Sequence, residues 1–235
     1  MSAMSRILSV LFVVAVPLFL VTTSVVWAAN DLRLYDYEFR LQRVAQETGI
    51  EEGELLDIVR QLRAYFNSRR EPLEVRANVA GETRELFNSR EVQHMADVKR
   101  LIWGVYGVQW ASLLYLLVWL AGSLALRRRA LLRRVAVLTL WGCGVTVGLV
   151  LAVGITAWVS FDSLFVVFHR LSFSNTLWQL DPTRDYLIRI FPERFWSDAT
   201  FFVGLATVAM ALTLALASGI YLGVSRRRRA VSPPQ

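Results

Sequence analysis

The chain has only two histidines, His94 and His169, and each lies within a few residues of a carboxylate. Imidazole is the side chain that takes and returns a proton near neutrality, with an unperturbed pKa of about 6.5. His94 has Asp97 three residues on, which on a helix is the same face, where an acid can orient the imidazole or bind a positive partner. His169 is followed by Asn175, Asp181, Asp185 and Glu193 in one polar segment. A single surface histidine most often caps or packs. Two of them, both near the ends of long apolar runs, point to a shared site at a lipid–water boundary.

Three chemistries fit this set. A metal centre needs His94, His169 and a carboxylate such as Asp97 or Asp185, but no pair of ligands has a diagnostic interval. A serine nucleophile, Ser172 or Ser174, needs a histidine base, and no nucleophile-elbow motif accompanies either. Direct general acid–base transfer needs only imidazole, a carboxylate and a donor for an oxyanion, with no metal and no cofactor. The lone Cys143 sits inside an apolar run, where it reads as a small buried residue rather than a thiolate.

The elements that must position these residues are set by four apolar runs, at 7–29, 101–126, 135–160 and 200–224. Each exceeds the roughly 20 residues that a helix needs to cross about 30 Å of hydrocarbon. The expectation is an all-α integral membrane protein, a single membrane domain over 1–235 with four transmembrane helices. Val26-Trp27-Ala28 has the small-residue look of a signal-peptide cleavage site, yet the run before it is longer than the usual apolar region of about 7–15 residues, which favours a retained span. Pro17 lies in its middle and predicts a kink.

Charge gives the orientation. Arg6, the cluster Arg127, Arg128, Arg129, Arg133 and Arg134, and the tail Arg226–Arg229 stand in segments without a single acid, and all 19 acids lie in 30–100 and 161–199. By the positive-inside rule, 1–6, 127–134 and 225–235 are cytoplasmic and the two longer segments lie outside, N-in and C-in. The net charge of +7 then reports topology and contact with anionic lipid, not nucleic acid, because no basic cluster is interleaved with an aromatic platform. Trp27, Trp103 and Trp158 mark the outer ends of three spans. Gly142, Gly144, Gly148 and Gly154 read as close-packing positions in the third.

Within 30–100, Thr48-Gly-Ile-Glu51 reads as a capping box that opens a helix with an apolar face at Leu55, Ile58, Val59, Leu62 and Phe66. Residues 68–81 read as a loop or short hairpin. Asn88 with Glu91 then caps a helix running unbroken into the second span, with His94 about 7 residues, roughly 10 Å, before the apolar run. Within 161–199, Phe161, Leu164, Phe165, Phe168 and Leu171 give a helical apolar face too short to span, with Asp162, His169 and Thr176 recurring on the other side. That is the pattern of an interfacial or re-entrant helix. Together the outer segments predict an extracytoplasmic helical cap.

Two stretches carry a resemblance. Leu86-Phe-Asn-Ser-Arg-Glu91-Val-Gln-His94-Met-Ala-Asp97-Val-Lys99, and Phe168-His169-Arg-Leu-Ser-Phe173-Ser-Asn175-Thr-Leu-Trp178-Gln-Leu-Asp181-Pro182 with Asp185 and Pro192-Glu193 following, resemble the lipoprotein intramolecular transacylase (Lit) family. The resemblance implies a multi-pass enzyme of the bacterial cytoplasmic membrane, with its site on the extracytoplasmic side. Its reaction would move an acyl chain from the sn-2 ester of a diacylated lipoprotein to the α-amino group of the N-terminal Cys, giving the lyso form. It implies His94 and His169 as proton carriers, Asp97 and Asp185 as holders of their tautomers, and Lys99, Asn175 or Trp178 as oxyanion donors, with Asp181 and Glu193 in supporting positions. Its partners would be the lipoprotein substrate and membrane lipids. Ser172-Phe173 and Phe195-Trp196 depart from the family's aromatic pairs and predict a reshaped acyl groove. Two other readings remain: an acyl hydrolase or transferase acting on phospholipid, and a non-enzymatic protein whose outer cap binds a partner.

Overall fold

The computed structural model describes residues 3–126 and 129–231; Arg127 and Arg128 of the basic connection, and both chain tips, lie outside the described residues. In chain order the elements are α1 (Ala3–Asn30), α2 (Leu32–Leu41), α3 (Val44–Thr48), α4 (Glu52–Phe66), β1 (Arg76–Val79), β2 (Glu82–Glu85), α5 (Ser89–Ala125), α6 (Arg129–Val159), α7 (Phe161–Ser172), α8 (Tyr186–Ile190) and α9 (Glu193–Val231). Four of them, α1, α5, α6 and α9, are long and apolar enough to cross a membrane. The chain divides into two compact units: a span unit of Met1–Val25, Tyr106–Ile155 and Val203–Gln235, and a site unit of Val26–Val105 and Thr156–Phe202.

The span unit has a small interior. Phe12, Val16 and Leu20 of α1 pack with Cys143 of α6 and Ala211 of α9. Many of its largest side chains, such as Leu114, Trp141 and Leu216, are exposed, as lipid-facing residues are. The interior is joined by short polar links: Thr207 donates to the Ser24 hydroxyl at 2.8 Å and Gln109 to the Thr23 hydroxyl at 3.2 Å. Arg134 donates to the Ser5 carbonyl at 2.7 Å and rests against the Trp119 ring. Of the four glycines expected at close approaches, one is. A Cβ on Gly142 would meet the Val16 side chain at 2.5 Å, whereas around Gly144, Gly148 and Gly154 the space is open.

The site unit is built like a water-soluble domain. Its core takes Leu55, Ile58, Val59 and Leu62 from α4, joined by residues of α2, α8 and α9 such as Phe39, Ile190 and Phe195. Two expectations need correction here. Thr48 does not open α4: it closes α3, its hydroxyl donating to the Val44 carbonyl at 2.7 Å, while Gly49 at φ 72° ends that helix and Glu51 precedes α4 without a side-chain cap. A Thr-Gly pair suits a helix end as well as a start, because glycine takes the left-handed conformation freely. The loop or short hairpin expected at 68–81 is a hairpin shifted toward the C-terminus, at 76–85. Strands β1 and β2 form an antiparallel hairpin, pairing Arg76 with Glu85 and Val79 with Glu82 across a turn in which Ala80 and Gly81 both have positive φ.

Helix α7 follows α6 through Ser160 and exposes Val167, Phe168 and Leu171 while burying His169. It ends at Ser172, so Thr176 lies beyond it in a turn rather than on its polar face.

Candidate active site

The two histidines come from different helices, His94 from the second turn of α5 and His169 from the last turn of α7. Asn88 and Glu91 cap α5 reciprocally: the Glu91 and Arg90 N–H groups donate to Asn88 Oδ1 at 3.1 and 3.0 Å, and the Asn88 N–H donates to Glu91 Oε2 at 2.8 Å. The same residues hold the 175–187 segment. Leu187 N–H donates to Glu91 Oε1 at 2.7 Å, Asn88 Nδ2 to Asp185 at 2.8 Å, and Arg90 to the Thr176 carbonyl at 2.6 Å. Glu91 is 1% exposed, and burial pushes its carboxyl up against the opposing pull of the N–H groups.

The imidazole rings stand 6.2 Å apart, centroid to centroid. Around His169 lie Phe165 at 4.1 Å, Trp178 at 4.9 Å and Phe173 at 5.7 Å, and Phe173 also meets His94 edge-on at 5.2 Å. His169 Nδ1 sits 2.8 Å from the Phe165 carbonyl. A carbonyl only accepts, so this bond places the ring proton on Nδ1 and the lone pair on Nε2. His94 Nδ1 is buried with no hydrogen-bond partner among the described residues. Burial lowers both histidines: His94 falls to about 4, helped by the neighbouring His169 and opposed by Asp97, and His169 is lowered against the opposing pull of its bond to Phe165. Both are therefore neutral at pH 7, with lone pairs available.

The carboxylates expected to hold the imidazoles have other partners. Asp185, 1% exposed, accepts from Asn88 and from the Asp181 N–H at 2.7 Å, and so ties the loop to the start of α5. The Phe165 backbone does for His169 what was expected of Asp185. Asp97 accepts from Asn175 Nδ2 at 2.7 Å and from the Arg100 guanidinium.

The expected oxyanion donors are also engaged. Lys99 donates to the Arg70 carbonyl at 2.6 Å and to Glu71 at 3.0 Å, with its ammonium over the Tyr65 ring. Trp178 Nε1 donates to the Asn175 carbonyl at 3.0 Å. Asn175 holds Asp97 through its amide nitrogen and accepts the Leu177 N–H through its oxygen. Asp181 caps a turn by accepting from Thr183, and Glu193 lies beside Asp162, with burial and that neighbour raising its carboxyl.

Among the described residues no third His, Cys, Asp or Glu joins the histidines in a group able to hold a metal ion. Ser172 and Ser174 instead line a cavity of about 260 Å³ with Asp97, Arg100, Leu101, Phe173 and Asn175. Arg90, Arg100 and the Phe165 carbonyl were not singled out in the sequence. Arg100 had a visible signal, its i+3 spacing from Asp97; the other two act through backbone carbonyls, which no side-chain pattern reports.

Comparison with known proteins bears on this geometry. A protein of Aquifex aeolicus with no assigned function is 33% identical over 135 residues, 57% of this chain and 56% of its own length, so the match spans little more than half of that relative. The membrane-integral lipoprotein intramolecular transacylase Lit from Bacillus cereus has a similar fold, with a TM-score of 0.78 at 17% identity over 95% of this chain and 98% of that one. A form of that protein with one histidine replaced by arginine superposes with a TM-score of 0.73, again at 17% identity and over 96% and 95% of the two chains. The sequence profile of the lipoprotein intramolecular transacylase Lit family matches residues 10–196, most of the chain including both histidines, and the chain belongs to that family.

Proposed function

We propose that this protein transfers an acyl chain within a diacylglyceryl lipoprotein, from the sn-2 ester oxygen to the α-amino nitrogen of the N-terminal Cys. The observation that carries the reading is the meeting of His94 and His169, 75 positions apart in sequence, at 6.2 Å in a chain of this family.

The reaction needs little else. An α-ammonium of pKa about 8 must lose one proton to become a nucleophile and a second as the amide forms. The amine nitrogen bonds to the ester carbonyl carbon, and the carbon–oxygen bond to glycerol breaks. One proton goes to the glycerol oxygen, which leaves as a free hydroxyl, and the other is released. Two neutral imidazoles at the reacting centre suit both transfers: one takes a proton from the amine, and the imidazolium formed in this way gives a proton to the departing glycerol oxygen, directly or through its neighbour. An ester is exchanged for an amide, so no activated donor is consumed. The second N–H of Asn175 Nδ2 is a candidate donor for the tetrahedral oxyanion. The Arg-rich, acid-free segments support, through the positive-inside rule, a site on the extracytoplasmic side of a bacterial cytoplasmic membrane, where lipoprotein glycerol esters lie.

The test is mass spectrometry of N-terminal lipopeptides from a host that makes only diacyl lipoproteins, expressing the wild type or His169→Ala. The expected result is one acyl chain moved from glycerol to nitrogen with the wild type alone. Unchanged lipopeptides despite verified membrane expression would overturn the reading and send attention to phospholipid acyl chemistry.

A further inference from the structure

We infer that Asp97 holds the α-ammonium group of the acyl acceptor in the cavity beside His94, and that Arg100 is an exchangeable counter-ion which this ammonium displaces. The inference rests on the function proposed above and names the part of the substrate that the cavity takes. Asp97 is 9% exposed, while the side chain of its partner Arg100 is 79% exposed. One end of this ion pair is thus a buried wall of the site and the other a solvent-exposed guanidinium that water can take over when a second cation reaches Asp97. Asn175 holds the second carboxylate oxygen at 2.7 Å, so Asp97 stays in place when Arg100 leaves.

The position fits an amine about to react. His94 and Asp97 are one turn apart on α5, about 4.5 Å along its axis. Phe173 both lines the cavity and packs edge-on against His94, which brings the cavity to the side of the imidazole. At about 260 Å³, walled by Asp97, Arg100, Ser172, Ser174 and Asn175, it suits a compact polar head group better than a fatty chain. A carboxylate stabilises the ammonium form, so Asp97 gathers and orients the acceptor; once an imidazole takes a proton, the neutral amine loses that attraction and is free to attack. Asp97 is in this view a substrate-binding group, which explains why its oxygens do not hold the His94 ring.

The experiment measures binding without turnover. His169→Ala protein in nanodiscs is titrated with a synthetic diacylglyceryl lipopeptide carrying a free α-amine, and with the same lipopeptide lacking that amine. The amine form is expected to bind about 10- to 100-fold tighter, the range for a charge-assisted hydrogen bond. Adding Asp97→Asn should erase that preference without weakening the amine-free form, Asp97→Glu should restore it, and Arg100→Gln should tighten the amine form alone by a few fold. Equal binding of the two lipopeptides with Asp97 intact overturns the inference and leaves the proposed function standing. Equal loss of both on Asp97→Asn also overturns it, by giving Asp97 a structural role. Binding of neither lipopeptide overturns the inference together with the function it rests on. Should Asp97→Asn fail to fold, the Asp97→Glu and Arg100→Gln titrations decide alone.

Discussion

The span unit and the site unit are stabilised by different physics. Among the described residues of the span unit the buried cluster is small, many large apolar side chains face outward, and the helices are linked by side-chain bonds such as Thr207 to Ser24 and Arg134 to Ser5. Lipid is as apolar as leucine, so close packing and a few hydrogen bonds must hold the helices together. The site unit has a continuous core and a network of buried carboxylates with N–H partners, and every residue assigned here to chemistry belongs to it. Only the second kind of construction holds polar groups in defined places, because a buried carboxylate such as Glu91 must be satisfied from defined directions.

Five substitutions would break or sharpen that contrast. The largest effect is expected from His169→Ala and His94→Ala, each lowering transacylation by about 10²- to 10⁴-fold, since each removes one of the two proposed proton carriers. Both variants should keep the wild-type melting transition at pH 7.5, and turnover surviving either change would sink the acid–base mechanism. Next comes the core of the site unit: Ile58→Ala, at a fully buried position, should cost about 2–5 kcal/mol, read from chemical denaturation in detergent. In the span unit, Gly142→Val drives a branched side chain into Val16 and should cost about 1–3 kcal/mol by overpacking, with activity per folded molecule retained. Thr207→Val removes one interhelical bond and should cost only about 0.6 kcal/mol; a loss several times larger would show that the span unit also depends on its polar links.

The same contrast has a pH signature. His94 is lowered to about 4 in the folded protein, against about 6.5 in an unfolded chain, so between those values the unfolded state binds more protons. Stability therefore rises with pH across that window and is lost as pH falls from about 6.5 toward 4. His94→Gln should flatten this slope, and an unchanged slope would show that the acid sensitivity resides elsewhere.

Much of this was legible in the sequence, and the failures have physical reasons. Four long apolar helices follow from hydropathy alone, and the α4 face and the Asn88–Glu91 cap follow from local spacing, because helix periodicity and capping are decided within one or two turns. Thr48-Gly49 misled because the same pair ends one helix as naturally as it would begin another. The pairing of His94 with His169 rested on composition and resemblance. What the sequence did not carry was the wiring of that pair: Arg90 reaching the Thr176 carbonyl, Asp185 tied to Asn88 rather than to a ring, and Lys99 directed to the Glu71 loop. These are contacts between segments far apart in the chain, and several end on backbone atoms that every residue type shares.

The hydrogen bond from His169 to the Phe165 carbonyl bears on how such a site can change over time. A tautomer fixed by a carboxylate is exposed to any mutation of that carboxylate. Here the acceptor is a main-chain oxygen one turn back on the same helix, present whatever residue occupies position 165. Replacing the side chain at 165 therefore leaves that acceptor in place, and the protonation pattern of His169 persists for as long as α7 remains a helix.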